Sequence, residues 1–205
     1  MALIHRARIT PTKAELIADW LPSRGWAARA VAPFELVGAY RFDDPAGEVG
    51  IETHLVRAAN DEVLQVPLTY RAAPLDGAER HLVGTMEHTV LGRRFVYDGC
   101  GDPVYVAALA AAIRTGGREA EEWVESDDAP VRREPTARVT GSGGPDVPVP
   151  AVTPADPVDG ASTTTIGRLV VLRVIGPAEG PGDAGTLTGT WRGSAEPALL
   201  AYLTA

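Results

Sequence analysis

From residue 34 to residue 71 the chain passes through three stretches rich in β-branched and apolar residues: Phe34 to Phe42, Val49 to Arg57 and Val63 to Arg71. Runs of this length, bounded by turn residues, predict strands. The Pro and Gly turn "DDPAG" joins the first to the second and "AAND" joins the second to the third, so adjacent antiparallel pairing is the economical arrangement. Pro67 lies inside the third run and has no N–H for a ladder, which predicts an edge strand or a bulge. Ahead of these runs Leu3 to Ile9 alternates as a first strand. Thr10-Pro11-Thr12 then introduces a helix in which Thr12 and Glu15 match a capping box. Leu16, Ile17, Trp20 and Leu21 share one helical face, and Pro22 stops the helix.

Beyond the polar loop "AAPLDGAER", Leu82 to Val90 and Arg93 to Tyr97 read as two further strand segments around Leu91-Gly92. A second helix is predicted from Asp102 to Ile113, with Val106, Leu109 and Ile113 at helical spacing and Gly116-Gly117 as terminator. Residues 126–161 hold seven of the seventeen prolines and show no hydrophobic period, which reads as a Pro/Gly-rich linker. Thr163 to Ile175, Thr186 to Arg192 and Ala198 to Leu203 are three more strand candidates. Three short strands bury little apolar surface alone, so they are expected to extend the first sheet. The resulting plan is an α+β domain over 1–125, a linker over 126–161 and C-terminal strands over 162–205 completing the same sheet.

Charge narrows the partners. With 27 acidic against 19 basic residues the formal charge is −8, so nucleic acid and anionic membrane are repelled on average. No apolar run reaches the length of a membrane span, and the N-terminal run is too short for a signal peptide. Cys100 is the single cysteine, which excludes an internal disulfide and fits a reducing cytoplasm.

The stretch "YDGCGDP" sets Asp98, Cys100 and Asp102 at alternate positions, a spacing that raises the question of a metal. As a calcium loop it fails: counted from Asp98, the sixth position is Pro103 and the twelfth is Leu109. One thiolate without a nearby His or second Cys does not build a zinc site. Asp98-Gly99 as a turn and Asp102-Pro103 as an N-cap followed by a first-turn proline account for every residue. Cys100 has only Asp98 and Asp102 as near charges, so nothing marks it as an activated nucleophile. His54, Glu87, His88 and Tyr97 are the candidate ligand-contacting side chains, with core or interface placement the commoner fate of such a histidine. Arg93 and Arg94 fall on opposite faces of a strand, which argues against a joint phosphate clamp. "GSGG" at 141–144 lacks the Lys-Ser/Thr ending of a phosphate loop and reads as linker. The residues themselves assign no catalytic group, cofactor or metal ligand.

Taken together, "AELIADWLPSRGW" (14–26), "LQVPLTYR" (64–71), "VGTMEHTVLGRRFVYDG" (83–99) and "DPVYVAALAAAI" (102–113) resemble the N-terminal cap domain of bacterial maltokinases, over roughly the first 115 residues. Maltokinases move a phosphoryl group from ATP to maltose, and their cap is a cystatin-like helix-on-sheet fold ahead of a two-lobed kinase. The resemblance therefore implies an antiparallel, cystatin-like sheet with two packed helices, extended by the C-terminal strands. It brings no catalytic residue, because the sequence has no "HGD"-type catalytic loop and no "DFE"-like metal-binding motif. The expectation is a non-catalytic module that binds a protein partner or ligand among enzymes of maltose, trehalose or glycogen metabolism. A small enzyme or ligand-binding protein with a pocket in the sheet, and a structural homodimer paired through sheet edges, are the alternatives.

Overall fold

The computed structural model describes residues 2–4, 7–126, 129–145, 147–148 and 155–204. In chain order the strands are β1 (Ala2–Ile4), β2 (Ile9–Thr10), β3 (Glu35–Phe42), β4 (Gly50–Arg57), β5 (Val63–Arg71), β6 (Leu82–His88), β7 (Gly92–Asp98) and β8 (Glu122–Val124). They continue with β9 (Val131–Arg133), β10 (Ala137–Gly141), β11 (Val158–Asp159), β12 (Thr163–Ile166), β13 (Leu169–Leu172), β14 (Val174–Ile175), β15 (Gly185–Trp191) and β16 (Ala198–Leu203). The α-helices are α1 (Lys13–Trp20) and α2 (Pro103–Thr115). The expected first strand divides into β1 and β2, and residues 5 and 6 between them lie outside the described residues.

α1 starts where its capping box places it. The Thr12 hydroxyl accepts from the Glu15 amide at 3.3 Å, and the Glu15 carboxylate accepts from the Thr12 amide at 2.8 Å. An eight-residue helix is marginal by itself. Burial of Leu16, Ile17 and Trp20 stabilises it by roughly 1.5–3 kcal/mol each, more than the cap's ~1 kcal/mol, so packing on the sheet decides that this segment is helical.

That sheet has the order β2-β6-β7-β5-β4-β3, with antiparallel neighbours throughout. β5 lies in its interior, which overturns the edge placement predicted from Pro67. On one side β5 pairs with β4 along its whole length, and on the other it pairs with β7 over Leu68–Arg71 and with β14 over Val63–Leu64. The Gln65 amide points to the second side, donating to the Arg173 carbonyl at 2.8 Å. Strand alternation turns the nitrogen of Pro67 the same way, into the gap between β14 and β7 where no ladder bond is due.

Both faces of the sheet are covered. On one face Leu16, Ile17, Trp20, Leu21 and Trp26 pack on Val56, Leu64, Val66, Leu68, Met86 and Val96. Against the other, α2 sets Tyr105, Val106, Leu109 and Ile113 between Tyr40, Phe42, Ile51 and Leu55 of the first sheet and Val139, Leu169, Val171, Leu187 and Leu200 of a second. This double burial explains why β4 and β5 each carry six consecutive buried residues instead of an alternating pattern.

The second sheet corrects the expected domain plan. β10, β15, β16, β13, β12 and β11 form a sheet of their own, and of the strands beyond residue 161 only β14 joins the first. The sheet gains enough strands because β10 and β11 arise inside the segment read as linker. β10 alternates buried Ala137, Val139 and Gly141 with exposed Arg138 and Thr140, a period hidden in the sequence by small residues. "GSGG" is equally fixed: the Gly143 and Gly144 amides donate to the Ile113 and Arg114 carbonyls at 2.9 and 3.1 Å, closing the C-terminus of α2. A Cβ on Gly143 would stand 1.8 Å from the Arg114 oxygen, so only glycine fits. β1, β8 and β9 make a third, three-stranded sheet.

At the elbow between β7 and α2 the two aspartates of "YDGCGDP" take structural positions. Asp102 caps α2, accepting from the Val104 amide at 2.9 Å, from Thr69 Oγ1 at 2.7 Å, and in bidentate fashion from Arg71 Nε and Nη2 at 2.7 Å each. Asp98 accepts from the Cys100 amide at 3.1 Å and from Arg173 Nη2 at 2.5 Å. Arg173 is fully buried; its Nε donates to Thr164 Oγ1 at 2.7 Å and its guanidinium lies 4.8 Å from the Trp26 ring. Removing one member of such a pair strands the other charge in the core. Asp98→Ala is therefore expected to cost about 3–5 kcal/mol in urea unfolding. Combining it with Arg173→Met should recover most of that loss, and a double variant no more stable than the single one would disprove the pairing.

Candidate functional site

Where α1 begins, the sheet face beneath it turns polar. Neighbouring registers bring Arg41 of β3 opposite Glu52 of β4, with His54 of β4 and Tyr70 of β5 on the same face. Lys13, the first residue of α1, reaches down and donates to Glu52 Oε2. A lysine in a first helical turn opposes the helix dipole, and this ion pair is what offsets that cost. The same carboxylate oxygen lies 3.6 Å from Arg41 Nη1 and 3.5 Å from His54 Nε2, and His54 Nε2 lies 3.1 Å from the Tyr70 hydroxyl.

Electrostatics follow from the crowding. Burial works to raise the Glu52 pKa, but the charges of His54, Lys13 and Arg41 outweigh it and hold the carboxyl well below its ordinary value. Burial first, and then the Glu52 charge, push the Tyr70 hydroxyl well above the usual phenol range. Tyr70 is therefore a neutral hydrogen-bonding group rather than a base.

Alongside lies a half-open cavity of about 540 Å³, walled by the start of α1, the sheet face and the loop between β3 and β4. Lys13, Arg41, Tyr70, His88 and Arg94 supply its polar wall, and Ile9, Phe42, Met86 and Leu91 its apolar one. Of the loop acids, Asp44 is committed: its oxygens accept from the amides of Ala46, Glu48 and Val49 at 2.9–3.0 Å. Burial opposes that carboxylate, yet these three amides keep its pKa below normal.

The four side chains singled out from the sequence do not converge. His88 lines the cavity, but its Nδ1 accepts from the Val90 and Leu91 amides at 3.3 and 3.1 Å and so shapes the β6–β7 turn. His54 is buried and meets the cavity wall through Tyr70 and Glu52. Glu87 is exposed and, one residue from His88, faces the other side of β6. Tyr97 is buried on that other side, its hydroxyl accepting from the Leu75 amide at 2.9 Å. Arg93 and Arg94 also separate, Arg93 stacking 5.5 Å from the Phe95 ring while Arg94 enters the cavity wall. Sequence reasoning missed Lys13, Arg41, Glu52 and Tyr70; the one available signal was the chain's single lysine in a helix's first turn.

A second cleft of about 490 Å³ lies over Cys100, Gly101 and the start of α2. Its floor offers no nucleophile, since burial pushes the Cys100 thiol far up. Among the described residues no group of three or more His, Cys, Asp or Glu is placed to hold a metal ion, and no helix is long and apolar enough to cross a membrane.

The depressed Glu52 pKa has a stability consequence of fixed sign. The ion pairs contribute fully above the unfolded-state value of 4.5 and are lost as pH falls through the lower folded-state value. The stability gap between wild type and Glu52→Gln, measured by urea unfolding, is expected to shrink as the pH falls below about 5. A gap that widens on acidification would contradict the charge assignment.

A search of curated proteins returned no match. Among solved structures, a glucosamine kinase in complex with glucosamine, ADP and inorganic phosphate is similar at 20% identity with a TM-score of 0.44. The alignment covers 96% of this chain and 41% of that one, so this chain spans less than half of the kinase's length. Residues 20–102, from the last residue of α1 through β3 to β7 and on to the N-cap of α2, match the family model of the maltokinase N-terminal cap domain.

Proposed function

We propose that the chain is a non-catalytic cap-type module that serves an enzyme of maltose, trehalose or glycogen metabolism by binding a protein partner or a ligand. The match of residues 20–102 to the maltokinase cap model carries this reading. Phosphoryl transfer needs carboxylates free to hold magnesium and to position the acceptor hydroxyl. In this chain Asp98 and Asp102, the acids whose spacing best suits such a set, have their oxygens taken by Arg173, Arg71, Thr69 and the first amides of helical turns. Their geometry supports a scaffold role. A buried, unactivated Cys100 suits a reducing cytoplasm.

The test has two arms. Purified chain with ATP, magnesium and maltose is expected to release no ADP above the protein-free rate. The same chain mixed with a purified maltose-phosphorylating or glycogen-building enzyme of its host is expected to form a complex in sedimentation velocity. ADP release that disappears in Glu52→Gln would overturn the non-catalytic reading, and failure to associate with any of those enzymes would remove the partner.

A further inference from the structure

We infer that the cavity between α1, β3 and β7 is a binding site for a small organic anion, a carboxylate or phosphate head on an apolar body. The argument rests on the hydrogen-bond inventory of its wall. A lysine carries three N–H donors and an arginine five. Among the described residues, the acceptors in contact with the donors of Lys13, Arg41 and Arg94 are the Glu52 carboxylate and the Leu91 carbonyl, the latter 2.7 Å from Arg94 Nη2; the Glu122 carboxylate, paired with Arg133, acts on Arg41 and Lys13 through its charge alone. Among the described residues the Nε groups of Arg41 and Arg94 have no hydrogen-bond partner, and they do not reach water. Both guanidiniums line the cavity, and an oxyanion there would meet their remaining donors in charge-assisted hydrogen bonds.

The acids around the cavity do not compete for the same ligand. Asp44 spends its oxygens on three loop amides, Glu52 spends its charge on Lys13, Arg41 and His54, and Asp43 is engaged as well. Glu48 remains, exposed at the rim. The inner wall is therefore donor-rich although the whole chain carries a formal charge of −8. The opposite wall selects the rest of the ligand. Ile9 and Leu91 offer apolar surface, with the buried Met86 beneath them, and the volume of about 540 Å³ is ample for a single-ring molecule. An oxyanion head against the arginines, with a flat apolar body along Ile9 and Leu91, meets both walls.

The probes are benzoate, phenyl phosphate and, as the uncharged control, phenol, titrated calorimetrically into the full chain at low ionic strength, where screening is weak. At least one anion is expected to bind with a millimolar or tighter Kd and phenol much more weakly. Which anion binds more tightly identifies the head group. Arg94→Gln and Arg41→Gln should each weaken binding by about tenfold or more, with the melting temperature recorded alongside. Should either variant lose its fold, Leu91→Glu serves instead: it alters a side chain that is 45% exposed at the cavity mouth and sets a repelling carboxylate there. No heat with either anion, equal affinity for phenol, or affinity unchanged by all three substitutions would each overturn the assignment.

Discussion

Two buried aspartates, Asp98 and Asp102, each paired with an arginine, hold the rest of this architecture in place. Each carboxylate would be expensive to bury alone, and each is matched by an arginine from another element: Asp98 by Arg173 just after β13, Asp102 by Arg71 at the end of β5. The elbow from β7 into α2 is thereby pinned at both ends. Since α2 lies between the two large sheets, its direction determines whether they can share one core. Arg173 binds them further through its main chain, its carbonyl accepting from Gln65 and its amide donating to Ser162 at 2.7 Å.

Gln65 completes this junction from the first sheet. It is fully buried, yet its amide group is satisfied: Nε2 donates to the Leu172 and Leu200 carbonyls at 2.9 Å each, and Oε1 accepts from the Tyr40 hydroxyl at 3.0 Å. A polar side chain in a core is tolerated only with its partners in place, so these contacts specify one relative placement of the sheets, where apolar packing would accept several. The free edge of β3 is closed in the same manner, by Thr136, whose hydroxyl accepts from the Ala39 amide at 2.8 Å and donates to the Ala39 carbonyl at 3.2 Å.

Features legible in the sequence were those decided by neighbours along the chain. The Thr12–Glu15 box, the β3–β4–β5 meander, the Asp102 cap and the Gly116 terminator each involve residues a few positions apart, and each lies where local rules put it. Features decided at long range were hidden. Arg173 meets Asp98 across 75 positions and Gln65 meets Leu200 across 135, and nothing in "LRVIG" or "LQVPL" advertises either. β10 was hidden because Ala137 and Gly141 present so little apolar surface that only contact with α2 and β15 shows them to be core. The candidate site falls in the same class: Lys13 and Glu52 are 39 positions apart, and the histidines and acids that attract attention in a linear reading face different sides of the sheet.

The cavity itself follows from a mismatch of lengths. A helix of eight residues is about 12 Å long, whereas the nine residues of β5 run about 30 Å. α1 covers the part of the face where Leu16 meets Gly84 of β6 so closely that an added Cβ would stand 2.8 Å from Leu16 Cδ1. It leaves the end toward Gly50 and Arg94 without a helical cover. Apolar residues left exposed there would favour association or aggregation, and a charged cluster that keeps Glu52, Lys13 and Arg41 in mutual contact avoids it. The same solution leaves arginine donors facing a cavity with too few acceptors of their own. Recognition of an anion thus requires no element beyond those that close an incompletely covered sheet.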